Sequence, residues 1–200
     1  MRMLKYEVCE EKLVFNVPEP AMVRHEIFPY EKRERRLIEY LRKLESPVYG
    51  FLNYVDITTI DYLRHVKDDV EIHLVVGLIK GESRIEQENI EAFKKVAENF
   101  KAKRTGAFEV FVLQSEIWKK CPKAWMHDRF LLSGNFHLAM GGDLKRDSLL
   151  SPGSFTIIAT PVEQWEEYDD FVDYFRSLLT KTDEELNARG ILFQRREKIV

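Results

Sequence analysis

One short segment carries the side chains of this chain that are best suited to chemistry. His127 and Arg129 are separated by one residue, Gly134 follows after four residues, and Gly141 and Gly142 follow after six more. On a strand, the histidine and the arginine project to the same face because the side-chain period is two. An imidazole beside a guanidinium suits a phosphate group, since the guanidinium is a planar two-pronged donor and the histidine supplies a proton or a nucleophilic nitrogen. The glycine pair allows close approach of backbone.

This spacing resembles the signature of the phospholipase D superfamily, which is H-x-K, four residues, Asp, six residues, and Gly-Gly or Gly-Ser. The resemblance implies that His127 corresponds to the catalytic histidine, Arg129 to the lysine, and residues 141–142 to the glycine pair. Two positions depart from the pattern. Gly134 stands at the aspartate position, and Leu144 stands where the family has an asparagine.

These departures favour binding over turnover. Arg129 keeps the positive charge of the family lysine, whereas Gly134 cannot perform the role of an aspartate and Leu144 removes a polar contact. Asp128 or Asp143 could substitute for the aspartate in space. Family members with an HDR-type motif that lack the aspartate use the fold to bind membranes or partners, and the resemblance implies the same here. The leading hypothesis is therefore non-catalytic recognition of a phosphate or phosphodiester group, on a nucleic acid or a lipid headgroup.

Two further functions stay open. One is a metal-independent phosphodiesterase of the nuclease type, in which a homodimer joins two copies of His127, one as nucleophile and one as general acid. The sequence has one copy of the motif and no internal repeat, so a second histidine must come from a second chain. The other function is a ligand-sensing or scaffold domain, although residues 1–45 show no helix-turn-helix pattern. No cofactor is predicted, and no side-chain spacing predicts a metal site.

The composition is that of a soluble globular protein. The 200 residues are 44% hydrophobic and 32% charged, with a net charge of −3. No apolar run reaches the roughly 18 residues of a membrane span, and the N-terminus lacks a signal-peptide pattern. Cys9 and Cys121 are too few for a disulfide framework, so a reducing cytoplasm is the predicted location. The basic clusters are interpreted as solvated helix faces, and only Lys119, Lys120 and Lys123 lie close to the motif in sequence.

Hydrophobic periodicity predicts strands that alternate with helices. The predicted strands are 13–17, 48–55, 70–79, 108–113, 125–132, 136–140 and 155–160. The predicted helices are 31–45, one capped by Asp56, 83–103, one beginning at Pro161, and 183–189. This pattern predicts an α/β fold, a mixed β-sheet flanked by helices, with strand 125–132 in its centre.

The order of these elements also resembles one phospholipase D-like repeat over about residues 46–180. We therefore predict an N-terminal extension, a short strand plus a helix, over residues 1–45 and a phospholipase D-like domain over residues 46–200.

Most other histidines and tryptophans are interpreted as packing residues rather than as site residues. His73 lies in an apolar strand and is predicted to be a satisfied core histidine. The same interpretation covers His137, Trp118, Trp125 and Trp165, while His25 has no visible partner in the sequence. A second H-x-K match at His65-Val66-Lys67 is followed by neither an acid nor a glycine pair at the required spacing.

Overall fold

Helices and strands alternate between residues 30 and 115, as the sequence predicts. The computed structural model describes the backbone of residues 5–9, 12–16, 24–27, 30–115, 129–150, 156–164, 168–188 and 193–200. The strands are β1 (Lys5–Cys9), β2 (Lys12–Asn16), β3 (Arg24–Ile27), β4 (Val48–Val55), β5 (Ile72–Ile79), β6 (Phe108–Ser115), β7 (Phe130–Leu132), β8 (Phe136–Met140), β9 (Thr156–Pro161) and β10 (Phe193–Lys198). The helices are α1 (Tyr30–Leu41), α2 (Ile57–Leu63), α3 (Glu86–Lys101), α4 (Arg146–Leu150), α5 (Tyr168–Thr180) and α6 (Asp183–Ala188).

All ten described strands join one mixed sheet. Their order is β1-β2-β3-β9-β8-β7-β4-β5-β6-β10. Only β4, β5 and β6 run parallel to one another, and every other neighbouring pair is antiparallel. Because β7 lies between β8 and β4, the segment that follows the motif histidine occupies the middle of the sheet, as predicted. The α/β fold class with a mixed sheet is confirmed.

Helices cover both faces of the sheet. On one face, buried side chains of α1, α2 and α3 pack on alternate residues of the central strands, among them Leu52, Leu74 and Leu131. On the other face, α5 and α6 pack on the intervening residues, among them Phe51 and Phe130. A sheet that is apolar on both sides must be covered on both sides, which explains why the strands β4, β5 and β6 are almost continuously hydrophobic.

Several element boundaries differ from the predictions. Pro161 ends β9 and is followed by a 3-10 turn at Val162–Gln164, so the α-helix predicted to begin at Pro161 does not begin there; the next described α-helix is α5. The sequence also did not predict β1, β3, β10 or the short helix α4. These are short elements, and charged residues interrupt the apolar pattern in each of them.

The described part of residues 1–45 has three strands and a helix, whereas the sequence predicts one strand and a helix. The predicted strand at 13–17 corresponds to β2, and β3 pairs antiparallel with β9, so this part of the chain extends the same sheet. The division into an extension over residues 1–45 and a domain over residues 46–200 stays a prediction.

His73 is packed and hydrogen-bonded, as its sequence context predicts. Its Nδ1 lies 3.0 Å from Glu109 Oε2, and its ring stacks on Tyr49 with 5.5 Å between centroids. Burial would raise the pKa of Glu109, but hydrogen bonds from Lys198 and His73 outweigh burial and leave the pKa below its ordinary value. His73 and Glu109 lie at the amino ends of β5 and β6, whereas Arg129 lies near the carboxyl end of β4, at the opposite end of the sheet.

Candidate functional site

The hairpin of β7 and β8 carries the described part of the motif. Its three-residue turn is hydrogen-bonded to the backbone of residues 43–45, which precede β4. The Gly134 N–H donates to the Glu45 carbonyl at 3.0 Å, and the Asn135 side-chain amide donates to the Lys43 carbonyl at 2.8 Å. From the other face, the Tyr168 hydroxyl donates to the Ser133 carbonyl at 3.3 Å. Burial raises the pKa of Tyr168, and nearby Tyr49 and Asp169 raise it further, which keeps this hydroxyl a donor.

Gly134, at the family's aspartate position, is a structural requirement of this turn. A Cβ at residue 134 would lie 2.8 Å from the Ser46 carbonyl oxygen, and backbone cannot move aside as a flexible side chain can. The close approach that the hairpin needs therefore excludes any side chain at this position, including a carboxylate.

Asp143 binds the motif arginine. Its Oδ1 accepts a hydrogen bond from Arg129 Nε and lies 3.4 Å from the backbone nitrogen of Tyr54 in β4. Asp143 is 7% exposed, so the carboxylate is held in a largely water-excluded position. Of the two carboxylates that could substitute for the missing aspartate, Asp143 is thus the one seen to contact the site; Asp128 lies outside the described residues.

Arg129 itself is fixed by the sheet. Its carbonyl accepts the Met140 N–H at 2.7 Å, which extends the β7–β8 ladder by one residue. By alternation from Leu131, its side chain projects to the face that α1, α2 and α3 cover. About a fifth of the side chain remains exposed. The backbone ladder and the carboxylate together give the guanidinium a defined direction.

The glycine pair follows directly on this ladder. The Gly141 N–H donates to the Thr156 carbonyl at 2.8 Å, and a Cβ on Gly141 would lie 3.1 Å from the Thr156 nitrogen. A glycine at residue 141 is therefore explained by packing, because the backbone here lies close to β9. Leu144, at the family's asparagine position, is fully buried in the core.

The structure describes part of the predicted site. Arg129 pairs with Met140 at the end of the central hairpin, and Gly141 and Gly142 follow Met140 in the chain. His127 lies outside the described residues, so its position beside Arg129 stays a prediction. His137, interpreted as a packing residue, contacts the Phe130 ring edge-on at 5.4 Å. Trp118, Trp125 and Trp165 lie outside the described residues, as does the side chain of His25.

Three residues at the carboxyl ends of β4 and β5 were not predicted as site residues. Tyr54 donates its backbone N–H towards Asp143, and Lys80 lies with its ammonium 3.8 Å from the centre of the Tyr54 ring. Asn53 is 2% exposed, and its Oδ1 has no hydrogen-bond partner among the described residues. A polar residue inside the otherwise apolar strand VYGFLNYV was the one signal that the sequence offered.

Neither a metal site nor a membrane span emerges from the described parts of the chain. Within these ranges, no three His, Cys, Asp or Glu side chains group closely enough to hold a metal ion. Every described helix is also too short or too polar to cross a bilayer.

We expect the Arg129–Asp143 pair to be strongly coupled. Removing one partner of a buried ion pair leaves an uncompensated charge and costs about 3–5 kcal/mol, and somewhat less where one partner is partly exposed. Arg129→Ala and Asp143→Ala should each lower the free energy of unfolding in urea, and the double variant should lose less than the sum by roughly 1–3 kcal/mol.

The exposed pair Arg64–Asp61, at 3.2 Å with both side chains about half exposed, is the matched control. The same cycle at that pair should give a coupling energy below about 1 kcal/mol. Equal coupling energies at the two pairs would contradict the structural role assigned to Asp143.

An aspartate at residue 134 should destabilise the protein and should not create activity. Gly134→Asp places a Cβ against the Ser46 carbonyl, so we expect the free energy of unfolding to fall by roughly 1–3 kcal/mol and no gain in phosphodiesterase activity. Gly134→Ala should lower the free energy of unfolding by about the same amount, because the clash with the Ser46 carbonyl arises at Cβ. Urea unfolding of both variants measures the cost, and wild-type stability in either would show that the turn can relax.

Comparison with known proteins establishes the fold. Neither a protein-family model nor a curated protein matches the sequence. Among solved structures, NucT from Helicobacter pylori matches with a TM-score of 0.51 at 12% identity, over 80% of this chain and 96% of that chain. Nuc from Salmonella typhimurium, a phospholipase D family member, matches with a TM-score of 0.51 at 6% identity, over 79% of this chain and 93% of that chain. The chain therefore has a phospholipase D-like fold, as the spacing of its motif predicted.

Proposed function

We propose that this chain is a phosphate-recognition domain that binds a phosphate or phosphodiester group through Arg129 and His127 without turning it over. The observation that carries the proposal is the guanidinium of Arg129, which Asp143 and the hairpin ladder hold at the end of the central strands. A guanidinium presents five N–H donors in a planar fork, a geometry that matches the oxygens of a phosphate. A donor fixed in direction binds an anion with little loss of side-chain entropy.

Three features support binding rather than turnover. The aspartate position is Gly134, which the turn keeps free of any side chain, and the asparagine position is Leu144, which is buried in the core. Arginine is permanently charged and cannot move a proton. Asp143 holds that charge in an ion pair, so the site can orient a phosphate, while any proton transfer must come from His127.

Phosphate is expected to protect the folded protein. A ligand that binds only the folded state stabilises it by about 2.7 kcal/mol at one hundred times Kd. Inorganic phosphate or sulfate should raise the Tm of the wild type and of Lys67→Ala, and should not raise the Tm of Arg129→Ala. Asp143→Asn removes a negative charge from the site, so phosphate should raise its Tm more than it raises the Tm of the wild type. Equal rises in all four proteins would mean that phosphate acts on the surface in general, which would favour the scaffold function.

The second candidate is a homodimeric phosphodiesterase. The observation that favours it is the span of the match, since this chain covers nearly the whole of NucT and Nuc while its sequence carries one copy of the motif. Paired histidines would then have to meet across a two-fold axis, where one surface patch is used twice.

Activity assays separate the two candidates. For the binding function we expect no hydrolysis of single-stranded DNA by wild type, whatever its oligomeric state. Hydrolysis by a dimer in gel filtration, lost in His127→Ala and insensitive to EDTA, would instead establish the phosphodiesterase. Efficient cleavage by a monomer would contradict both candidates, because one histidine cannot both attack phosphorus and protonate the leaving oxygen.

A further inference from the structure

Lys80 and Tyr54 form an ordered cationic group at the same end of the sheet as Arg129. Lys80 follows the last residue of β5, and its backbone N–H donates to the Val55 carbonyl at 2.8 Å. Its ammonium lies 3.8 Å from the centre of the Tyr54 ring, within the range of a cation–π contact. Lys80 is exposed, whereas Tyr54 is half-buried, so the ring is the fixed part of the pair.

The strand register places Tyr54 next to the motif. Phe51 pairs with Phe130 in the antiparallel ladder of β4 and β7. One step further along this register, Leu52 comes opposite Arg129, and Tyr54 follows two residues beyond Leu52 in β4. The Tyr54 backbone N–H also points at the carboxylate oxygen that binds Arg129. Tyr54 and Arg129 are therefore linked through Asp143 at this end of the sheet.

Lys80 contributes net positive charge at this end of the sheet. Arg129 and Asp143 neutralise each other, so their pair contributes direction rather than net positive charge. Within the described ranges, the Lys80 ammonium forms no ion pair and its contact is with the ring. An exposed ammonium that contacts an aromatic face can move onto an anion without first breaking a salt bridge.

We propose that Tyr54 and Lys80 form a second subsite, next to the Arg129 phosphate subsite, and that the ligand is a single-stranded nucleic acid. Lys80 binds a neighbouring backbone phosphate, and the Tyr54 ring offers a π-face to the adjoining base once the ammonium has moved onto the phosphate. Charge that follows the backbone together with an aromatic platform is the combination by which proteins hold single strands. This inference rests on the proposed phosphate recognition by Arg129 and deepens it.

A lipid surface is the rival ligand. Ile57 is 50% exposed and Ile85 is 58% exposed, and these residues follow β4 and β5 at the same end of the sheet. Isolated exposed apolar residues are ordinary on protein surfaces and do not by themselves indicate a membrane-binding patch. A lipid headgroup also has no aromatic face for Tyr54, so the Tyr54–Lys80 contact favours the nucleic acid.

The test is a titration of the full chain against a fluorescent oligothymidylate, read by anisotropy at several salt concentrations. We expect Lys80→Ala to weaken binding and to reduce the slope of log K against log salt by about 0.7, the value for one single-strand phosphate. Tyr54→Leu should weaken binding roughly fivefold to a hundredfold, as loss of a base-stacking platform does, and Tyr54→Phe should restore it. Lys67→Ala, the matched control, removes the same charge from the loop before β5, at the opposite end of the sheet.

The outcomes separate this inference from the function on which it rests. Equal affinities and salt slopes for Lys80→Ala and Lys67→Ala would overturn the second subsite, even with the Arg129-dependent phosphate effect intact. Binding to phosphatidylserine vesicles without binding to the oligonucleotide would overturn the nucleic acid as ligand. Loss of the phosphate effect on Tm, together with a Lys80-dependent oligonucleotide affinity, would contradict the Arg129 subsite and retain the Lys80 subsite.

Discussion

The ion pair of Arg129 and Asp143 links both strands of the β7–β8 hairpin to β4, which is distant in sequence. Arg129 precedes β7, Asp143 follows β8, and the carboxylate also approaches the backbone of β4 at Tyr54. Withdrawing two charges from water is costly, and the cost is offset only when geometry and further hydrogen bonds satisfy both groups. Because the carboxylate is nearly buried, the ends of the hairpin and of β4 must keep their spacing for the pair to persist. The candidate site depends on this spacing.

Gly134 and Leu144 contribute to the packing around this ion pair. Gly134 allows the hairpin turn to approach the Ser46 backbone, and Leu144 adds to the hydrophobic core directly after the carboxylate. Neither residue offers a polar side chain, so Asp143 contributes the carboxylate that binds Arg129.

Local sequence predicted the central strands well and the site only in part. The predicted bounds of β4 and β8 are those observed, because apolar runs end at clear turn or cap residues such as Asp56 and Ser133. Short elements with alternating charges, such as β10, gave no comparable pattern. The contact between Tyr54 and Lys80 was beyond prediction for another reason. It depends on the parallel register of β4 with β5, which brings together residues that are distant in sequence.

The arginine at residue 129 and the lysine at residue 80 differ in what they can do at this end of the sheet. A lysine is a mobile point charge that can shift its pKa, whereas an arginine is a planar donor that stays charged and is held here by a carboxylate. The mobile ammonium in this chain belongs to Lys80, which follows β5, two strands away from β7 in the sheet. A rigid donor beside an adaptable one suits a ligand whose charges recur along its length, since the first fixes the register and the second follows the neighbouring charge. Chemistry at phosphorus needs proton transfer at one point, which an arginine that stays charged does not supply.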